Sequence, residues 1–322
     1  MITPSNFHLI KQCNARALYK DEGSLIPTHP ETIFGKIVHF FFQYVYKVKN
    51  KGELFEIWRK SEIKIFKDEN HEINKDNIKK ISLLATDYSN RKHQVIQNVF
   101  TNICNAGQRK IVASREKRLV YESIVGVPDL ILVNDNQVSI IDFKTGKIFD
   151  KNNEIKQGYQ TQLKIYAGLY FKVHEKNPDK LFIVHNDCYI PINFTQEECS
   201  SLLNNLIKLK EKLLKITEAE IKNYENPHVT YCYSCSKRMS CDSYWDSDAN
   251  LYDLRGVLKE VKVGLRNKIT IGENIIISDN NRINEFVSNY IGKEVVFLNL
   301  KNTDKYLFET LKYSVFLDYK KY

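Results

Sequence analysis

Between Gly126 and Lys144 two aspartates and a lysine punctuate an apolar stretch. It reads Gly126-Val127-Pro128-Asp129, then Leu130 to Val133, Asn134-Asp135-Asn136, Gln137 to Ile141 and finally Asp142-Phe143-Lys144. If Asp135-Asn136 forms a two-residue hairpin turn, Asn134 pairs with Gln137, and the same register sets Asp129 across from Asp142. Opposed residues of an antiparallel pair share a face with Cβ atoms roughly 4.5–5.5 Å apart, and Lys144, two residues on, projects from that face as well. Like charges so placed repel unless a cation sits between them, and Mg²⁺ commonly takes one or two carboxylates and fills its shell with water and substrate phosphate. An ion held by Asp129 and Asp142 would polarise a phosphodiester oxygen and lower the pKa of a bound water, with Lys144 orienting that water or neutralising developing charge. The plainer alternative is a surface hairpin whose Asp142 and Lys144 pair through solvent, and a turn one residue longer would break the direct pairing.

A second group of chemically active residues is Cys232-x₂-Cys235-x₅-Cys241, three thiols in a turn-rich segment beside Lys237 and Arg238, whose charges would favour thiolates. Three ligands leave a tetrahedral or cuboidal site one short. Cys104, Cys188 and Cys199 lie in segments that read as core, where a free cysteine behaves as a small hydrophobe, so Cys13 is the remaining candidate for a fourth ligand. Thiolate sets alone do not separate zinc from iron–sulfur.

The elements that must position these groups follow from periodicity. The first hundred residues read as helical: Ser5 capping a helix that reaches Tyr19, an aromatic-rich segment Thr32 to Tyr46, and Glu53 to Phe66 and Asp76 to Asn105. Strands are expected at Leu119 to Tyr121, Val127 to Val133, Gln137 to Phe143 and Leu181 to Val184, with helices at Gln160 to Tyr170 and Thr195 to Lys222. After the cysteines, strands at Val257 to Val263, Lys268 to Ile271 and Asn274 to Ile277, a helix at Asn281 to Tyr290, and strands at Val295 to Leu300 and Tyr306 to Leu317 match the order of an OB-like barrel.

Pro128-Asp129 followed by Asp142-Phe143-Lys144 resembles the PD-(D/E)XK nuclease motif. Gln162-Leu163-Lys164-Ile165-Tyr166 resembles the Gln-x-x-x-Tyr helix of its RecB-type branch, and Gly35-Lys36-Ile37-Val38-His39 the upstream Gly-x-x-x-His element. The resemblance implies His39, Asp129 and Asp142 as ligands of Mg²⁺ or Mn²⁺, Lys144 as catalytic, and Gln162 and Tyr166 as supporting residues. Taken singly, His39 among Val38, Phe40 and Phe41 also reads as a core histidine, and Tyr166 as core beside Leu163 and Leu169. One N-terminal cysteine with three clustered C-terminal ones is similar to the iron–sulfur subset of that branch, including AddB-like and CRISPR-associated Cas-four-like exonucleases. On that likeness Cys13, Cys232, Cys235 and Cys241 would hold a [4Fe–4S] cluster, zinc being the alternative.

The expected fold class is therefore α/β: a mixed sheet flanked by helices with a helical N-terminal region over 1–248, and a small β-rich, OB-like accessory domain over 249–322. The chain has 322 residues, 43% of them hydrophobic, and a net charge of +9. That composition excludes a disordered or collagen-like chain and tilts the partner toward a polyanion. The resemblance makes that partner DNA, single-stranded or with ends, in repair, spacer acquisition or phage defence. No phosphate loop with Gly-Lys-Ser/Thr occurs, so a separate helicase, integrase or defence complex is an expected protein partner, and a non-catalytic scaffold with a nuclease fold is the alternative function. Seven cysteines are too few for a disulfide scaffold, and no apolar run approaches a membrane span, so a reducing cytoplasm is expected. Lys268, Phe286, Tyr290, Phe297, Tyr306 and Tyr313 are candidate contacts for single strands in the C-terminal domain.

Overall fold

Val138, Ile140, Asp142 and Lys144 alternate with Ser139, Ile141 and Phe143 along one strand, and that alternation organises the first half of the molecule. In the computed structural model, the structure describes residues 2–19, 30–45, 48, 50–68, 85–99, 112–115, 117–134, 136–185, 188–233, 235–250, 252–278, 287–302, 307–308 and 315–318. They group into two compact units: one from the described residues of 1–18, 30–72 and 85–224, the other from Tyr19 and the described residues from Glu225 onward. The cysteine-bearing segment falls in the second unit.

The first unit runs α1 (Phe7–Gln12), α2 (Ala15–Leu18), α3 (Pro30–Phe42), α4 (Lys51–Asp68), α5 (Ala85–Val99), β1 (Val112–Arg115), β2 (Leu119–Tyr121), β3 (Ile124–Gly126), β4 (Leu130–Asn134), β5 (Gln137–Lys144), α6 (Gln157–His174), β6 (Lys180–His185), β7 (Cys188–Pro191) and α7 (Gln196–Leu213). Five strands form a mixed sheet in the order β1-β4-β5-β6-β7, with β5 and β6 parallel and the other neighbours antiparallel. A parallel pair needs a crossover, and α6 supplies it. Val138 and Ile140 of β5 pack with Leu163, Tyr166 and Leu169 of α6 and with Leu203 and Leu206 of α7 in one core. Phe143 points to the other face and stacks on Phe42 of α3, ring centroids 4.5 Å apart.

Several boundaries differ from the sequence expectation. The N-terminal helix is split at Cys13, whose backbone is extended (φ −148, ψ 105), and it is Asn6 rather than Ser5 that occupies the cap position. The strand expected from Val127 begins only at Leu130, because Val127-Pro128-Asp129 interrupts the ladder and Pro128 has no N–H to donate. The long helix expected to reach Lys222 ends at Leu213, and a 3-10 helix occupies Glu218–Tyr224. Its start is capped by Thr195, whose hydroxyl accepts from the Glu198 amide at 3.2 Å. Strands β1 and β7 were not legible, being edge strands of four residues each. The stretches 76–84 and 100–105 of the expected helix Asp76 to Asn105 lie outside the described residues. No described helix is long and apolar enough to cross a membrane.

The second unit adds α8 (Val229–Cys232), α9 (Asp242–Trp245), β8 (Leu254–Lys262), β9 (Asn267–Ile271), β10 (Asn274–Ser278), β11 (Glu294–Leu298), β12 (Lys301–Asn302), β13 (Leu307–Phe308) and β14 (Val315–Asp318). They form a β-rich region ordered β12-β13-β10-β9-β8-β11-β14. Strand β13 runs parallel to β10, while β14, a few residues later, is antiparallel to β11 at the other end of the ladder. This pairing agrees with the OB-like order read from the sequence. Leu258, Ile269, Ile271, Ile276, Val295 and Phe297 fill its core. A buried ion pair ties the cysteine segment to these strands. Arg238 Nε donates to Asp253 Oδ2 at 2.6 Å, Tyr244 Oη donates to the same oxygen at 2.7 Å, and the Asn299 amide donates to Asp253 Oδ1 at 2.8 Å.

In the first unit, Gly168 is where α6 meets α7 most closely. A Cβ there would stand 2.8 Å from the Cys199 carbonyl oxygen. Alanine ordinarily stabilises a helix interior by about 0.5–1 kcal/mol over glycine. Here overpacking against backbone reverses the sign, and Gly168→Ala is expected to destabilise the protein by about 1–3 kcal/mol, read as a lower urea midpoint. A midpoint at or above wild type would refute this close approach.

Candidate active site

The hairpin register is the one the two-residue turn demands. Asn134 pairs with Gln137 and Leu130 with Ile141, and Asn136 adopts the left-handed conformation such a turn needs (φ 66). The register would next pair Asp129 with Asp142, but Asp129 lies just beyond the end of the ladder. Freed from strand geometry, its side chain turns back, and Oδ2 accepts from the Phe143 amide at 2.7 Å. The same oxygen lies 3.2 Å from His39 Nδ1, on the last turn of α3.

Asp142 faces α6. Its side chain is 2% exposed. Gln162 Nε2 donates to Asp142 Oδ1 and to Tyr166 Oη, both at 3.1 Å, while Lys144 Nζ donates to Gln162 Oε1 at 3.0 Å. Residues 162 and 166 are one helical turn apart, so a single face of α6 delivers both groups. Lys144 Nζ also lies 2.5 Å from Asp142 Oδ2. That charge pair is the contact this buried oxygen has, and no other donor reaches it among the described residues.

Burial pushes the Asp142 carboxyl up, to about 6, with Lys144 opposing and Asp129 adding to the rise. Burial would raise Asp129 as well, but the bond and charge of His39, then the Phe143 amide and Lys144, hold it below the ordinary carboxylate range. For His39 burial acts downward and is outweighed by the bond and charge of Asp129 and by the charge of Asp142, so its pKa is raised. The phenol of Tyr166 is raised by burial and by Asp142. The two carboxyls thus have separated roles: Asp129 is ionised and Asp142 is poised near neutrality.

Two residues went unnoticed in the sequence. Tyr159 lies under the Lys144 ammonium, 4.9 Å from Nζ to the ring centroid. It precedes Gln162 by three residues, so the i, i+3, i+7 stripe of Tyr159, Gln162 and Tyr166 was the available signal. His185 pairs with Lys144 across the parallel ladder, and its Nδ1 is 2.9 Å from the Lys144 carbonyl oxygen.

No three His, Cys, Asp or Glu side chains among the described residues converge on one point as a ready metal site. His39 is turned to Asp129, and Asp142 to Lys144 and Gln162. A hard divalent ion nevertheless suits what is present. Asp129 stands close enough to Asp142 to raise its pKa, and paired carboxyl oxygens of this kind are what such an ion takes.

The cysteines divide between the units. Cys13 is 8% exposed in the first, with Sγ 3.8 Å from the Tyr224 carbonyl oxygen. In the second, Cys232 and Cys235 are buried and Cys241 is partly exposed. Cys232 Sγ accepts from the His228 amide at 3.3 Å, and the Cys235 amide donates to the Cys232 carbonyl at 2.8 Å. Tyr19 donates to Glu225 and lies beside Cys241. Arg238, expected to favour thiolates, has its guanidinium spent on Asp253 and Asn299. Cys199 is core as expected, its thiol pushed up to about 12 by burial and by Glu198. Cys104 and the side chain of Cys188 lie outside the described residues. Among the expected strand-binding residues of the second unit, Phe297 is 1% exposed, a core residue with no face to offer a base. Lys268 is exposed, Tyr290 is half-buried with Lys293 Nζ 4.8 Å from its ring, and Phe286, Tyr306 and Tyr313 lie outside the described residues.

Comparison with known proteins gives one decisive match. A family model described as the PD-(D/E)XK nuclease superfamily matches residues 1–242. No curated protein matches the chain. Among solved structures, the crystal structure of SSO0001 is similar at 16% identity, covering 74% of this chain and 96% of that one, with a TM-score of 0.28, a superposition that carries no argument.

The electrostatic account has two opposed consequences for the metal-free protein. Lys144→Met removes the charge that opposes Asp142 protonation and moves its titration above about 6, whereas Asp129→Asn removes a like charge and moves it down. Carboxyl-carbon NMR of Asp142 in both variants reads the two signs. Shifts in the same direction would refute the assignment.

Proposed function

The chain belongs to the PD-(D/E)XK nuclease superfamily, and from that premise we propose that it is a divalent-metal-dependent deoxyribonuclease of the RecB-type branch, acting on single strands or ends as an exonuclease. The observation that carries this reading is the pair of buried carboxyls close enough to shift one another, an ionised Asp129 beside an Asp142 whose Oδ2 is met by Lys144. Asp129, Asp142 and His39 would hold Mg²⁺ or Mn²⁺, which supplies Lewis acidity toward the phosphodiester. Lys144 offsets charge that builds on the phosphate. Gln162, bonded to Lys144, Asp142 and Tyr166 at once, holds the lysine and the carboxylate in mutual register. His39, bonded to Asp129, keeps that carboxyl ionised, and as a ligand it would serve in its neutral form.

Cys13, Cys232, Cys235 and Cys241 are proposed as ligands of a [4Fe–4S] cluster, with zinc the alternative, which would link residues far apart in sequence and so contribute folding energy. Their spacing supports this. The proposed domains are a nuclease domain 1–248 and an accessory domain 249–322, and the family match ends at residue 242. DNA repair, spacer acquisition or phage defence is the proposed setting, in a reducing cytoplasm and alongside a motor or integrase. A second reading, a non-catalytic DNA-binding subunit, is favoured by one observation: no three ligand side chains converge among the described residues.

Cleavage separates the two. Purified protein with Mn²⁺ is expected to degrade end-labelled single-stranded DNA, and Asp142→Ala and Lys144→Ala each to lower the rate by at least about 100-fold. Binding without cleavage by the wild-type chain would select the scaffold reading. Because a protonated carboxylate is a poor ligand, Mn²⁺ affinity is expected to fall as pH drops through about 6, where Asp142 titrates. Titration calorimetry at pH 7.5 and 5 tests that, and equal affinities would remove Asp142 from the ligand set.

A further inference from the structure

A cleft of about 490 Å³ opens between α3, α4 and the residue after β5. Thr32, Lys36, His39, Phe40 and Gln43 line it from α3, and Thr145 from the end of the hairpin. These α3 positions recur at helical spacing, so one face of one helix builds most of the wall. Gly35 sits where α3 passes Thr145. A Cβ there would come 3.0 Å from Thr145 Oγ1, so the missing side chain is what lets α3 lie close to the end of β5. The cleft runs up to the site: His39 touches Asp129, and Thr145 follows Lys144.

Its chemistry is mixed in a particular way. Lys36 and Thr32 are exposed, giving a cation and a hydroxyl. Gln43 contributes an amide that is 4% exposed, while Phe40 and Ile65 give an apolar wall. A cation beside an aromatic ring suits a nucleotide, which presents a phosphate and a flat base, better than it suits inorganic phosphate or an apolar peptide. The volume lies in the ~300–1,000 Å³ range of small-ligand pockets. Among the described residues that is room for one or two nucleotides, and a ring such as Phe40 needs a base face that an unpaired strand offers and a stacked duplex does not.

We propose that this cleft seats the nucleotides flanking the scissile phosphate of an unpaired polynucleotide strand, with Lys36 on the backbone and Phe40 against a base. The inference rests on the nuclease reading for the position of the scissile phosphate, and it makes the site favour single strands through the base face that Phe40 takes. DNA and RNA share the required chemistry.

The test is fluorescence anisotropy of the full chain with short labelled single-stranded DNA, single-stranded RNA and a blunt duplex, in EDTA so that no cleavage occurs. Lys36→Ala is expected to weaken binding of the unpaired strands and to flatten the slope of log affinity against log salt by about 0.7, the share of one phosphate on a single strand. Phe40→Ala is expected to weaken it about fivefold or more. Lys208→Ala, on the exposed face of α7, serves as the control and is expected to bind like wild type. Wild-type affinity and an unchanged salt slope in both cleft variants would overturn the proposal, as would a duplex bound as tightly and with the same dependence on Lys36. A parallel Mn²⁺ cleavage assay separates the two levels. Lys36-dependent binding without cleavage leaves the cleft assignment standing and removes the nuclease reading. Cleavage by a protein whose binding ignores Lys36 does the reverse. A wild-type chain that binds no strand overturns both.

Discussion

A carboxylate that is almost wholly buried needs compensation, and the way Asp142 obtains it explains most of the first unit. Its strand must be central enough to exclude water, its helix must present an amide, and its neighbour two residues on must be a cation. Strand β5 lies between an antiparallel and a parallel partner, so both of its edges are bonded, while α6 packs on one face and α3 on the other. The crossover helix α6 brings Gln162 to one carboxylate oxygen, and Lys144 meets the other by charge alone. These partners do not fully offset the loss of water around the buried carboxyl. The raised pKa of Asp142 expresses that deficit.

The neighbouring aspartate shows how little separates a structural from a chemical carboxylate. Asp129 lies one residue outside the ladder and, not being held to the pleat, takes an amide from Phe143 and a ring nitrogen from His39. Those two bonds outweigh its burial and keep it ionised. Phe143 joins the sides: its amide serves Asp129 while its ring stacks on Phe42 and so fixes α3, the helix that carries His39. One dipeptide, Asp142-Phe143, thus directs its first side chain to α6 and its second to α3.

The second unit follows a different economy. Its barrel-like strands have an apolar core of their own, and the cysteine segment is anchored to them through the Arg238–Asp253 pair, both side chains nearly inaccessible. Such a pair stabilises little over an apolar substitute, but losing one member strands the other charge. Tyr244 and Asn299 complete the shell of Asp253, so this segment is held by directed bonds as well as by packing.

The hairpin register and the face shared by Gln162 and Tyr166 were legible in the sequence, since each depends on short-range rules: turn length, helical spacing and alternation. Edge strands β1 and β7 were not, because a short strand takes its definition from the neighbour it pairs with. Nor was the end of the ladder at Leu130, which turned Asp129 from a cross-strand partner into a bridge to His39. Phe297 read as a surface aromatic and is core. Sequence by itself determined the elements on which Asp129, Asp142, Lys144, Gln162 and Tyr166 stand and the spacing that aligns them. Only the tertiary structure decided which of them touch, and which carboxyl titrates below the ordinary range and which above it. Those outcomes depend on burial and on partners brought from distant parts of the chain, and no local pattern encodes the dielectric around a side chain.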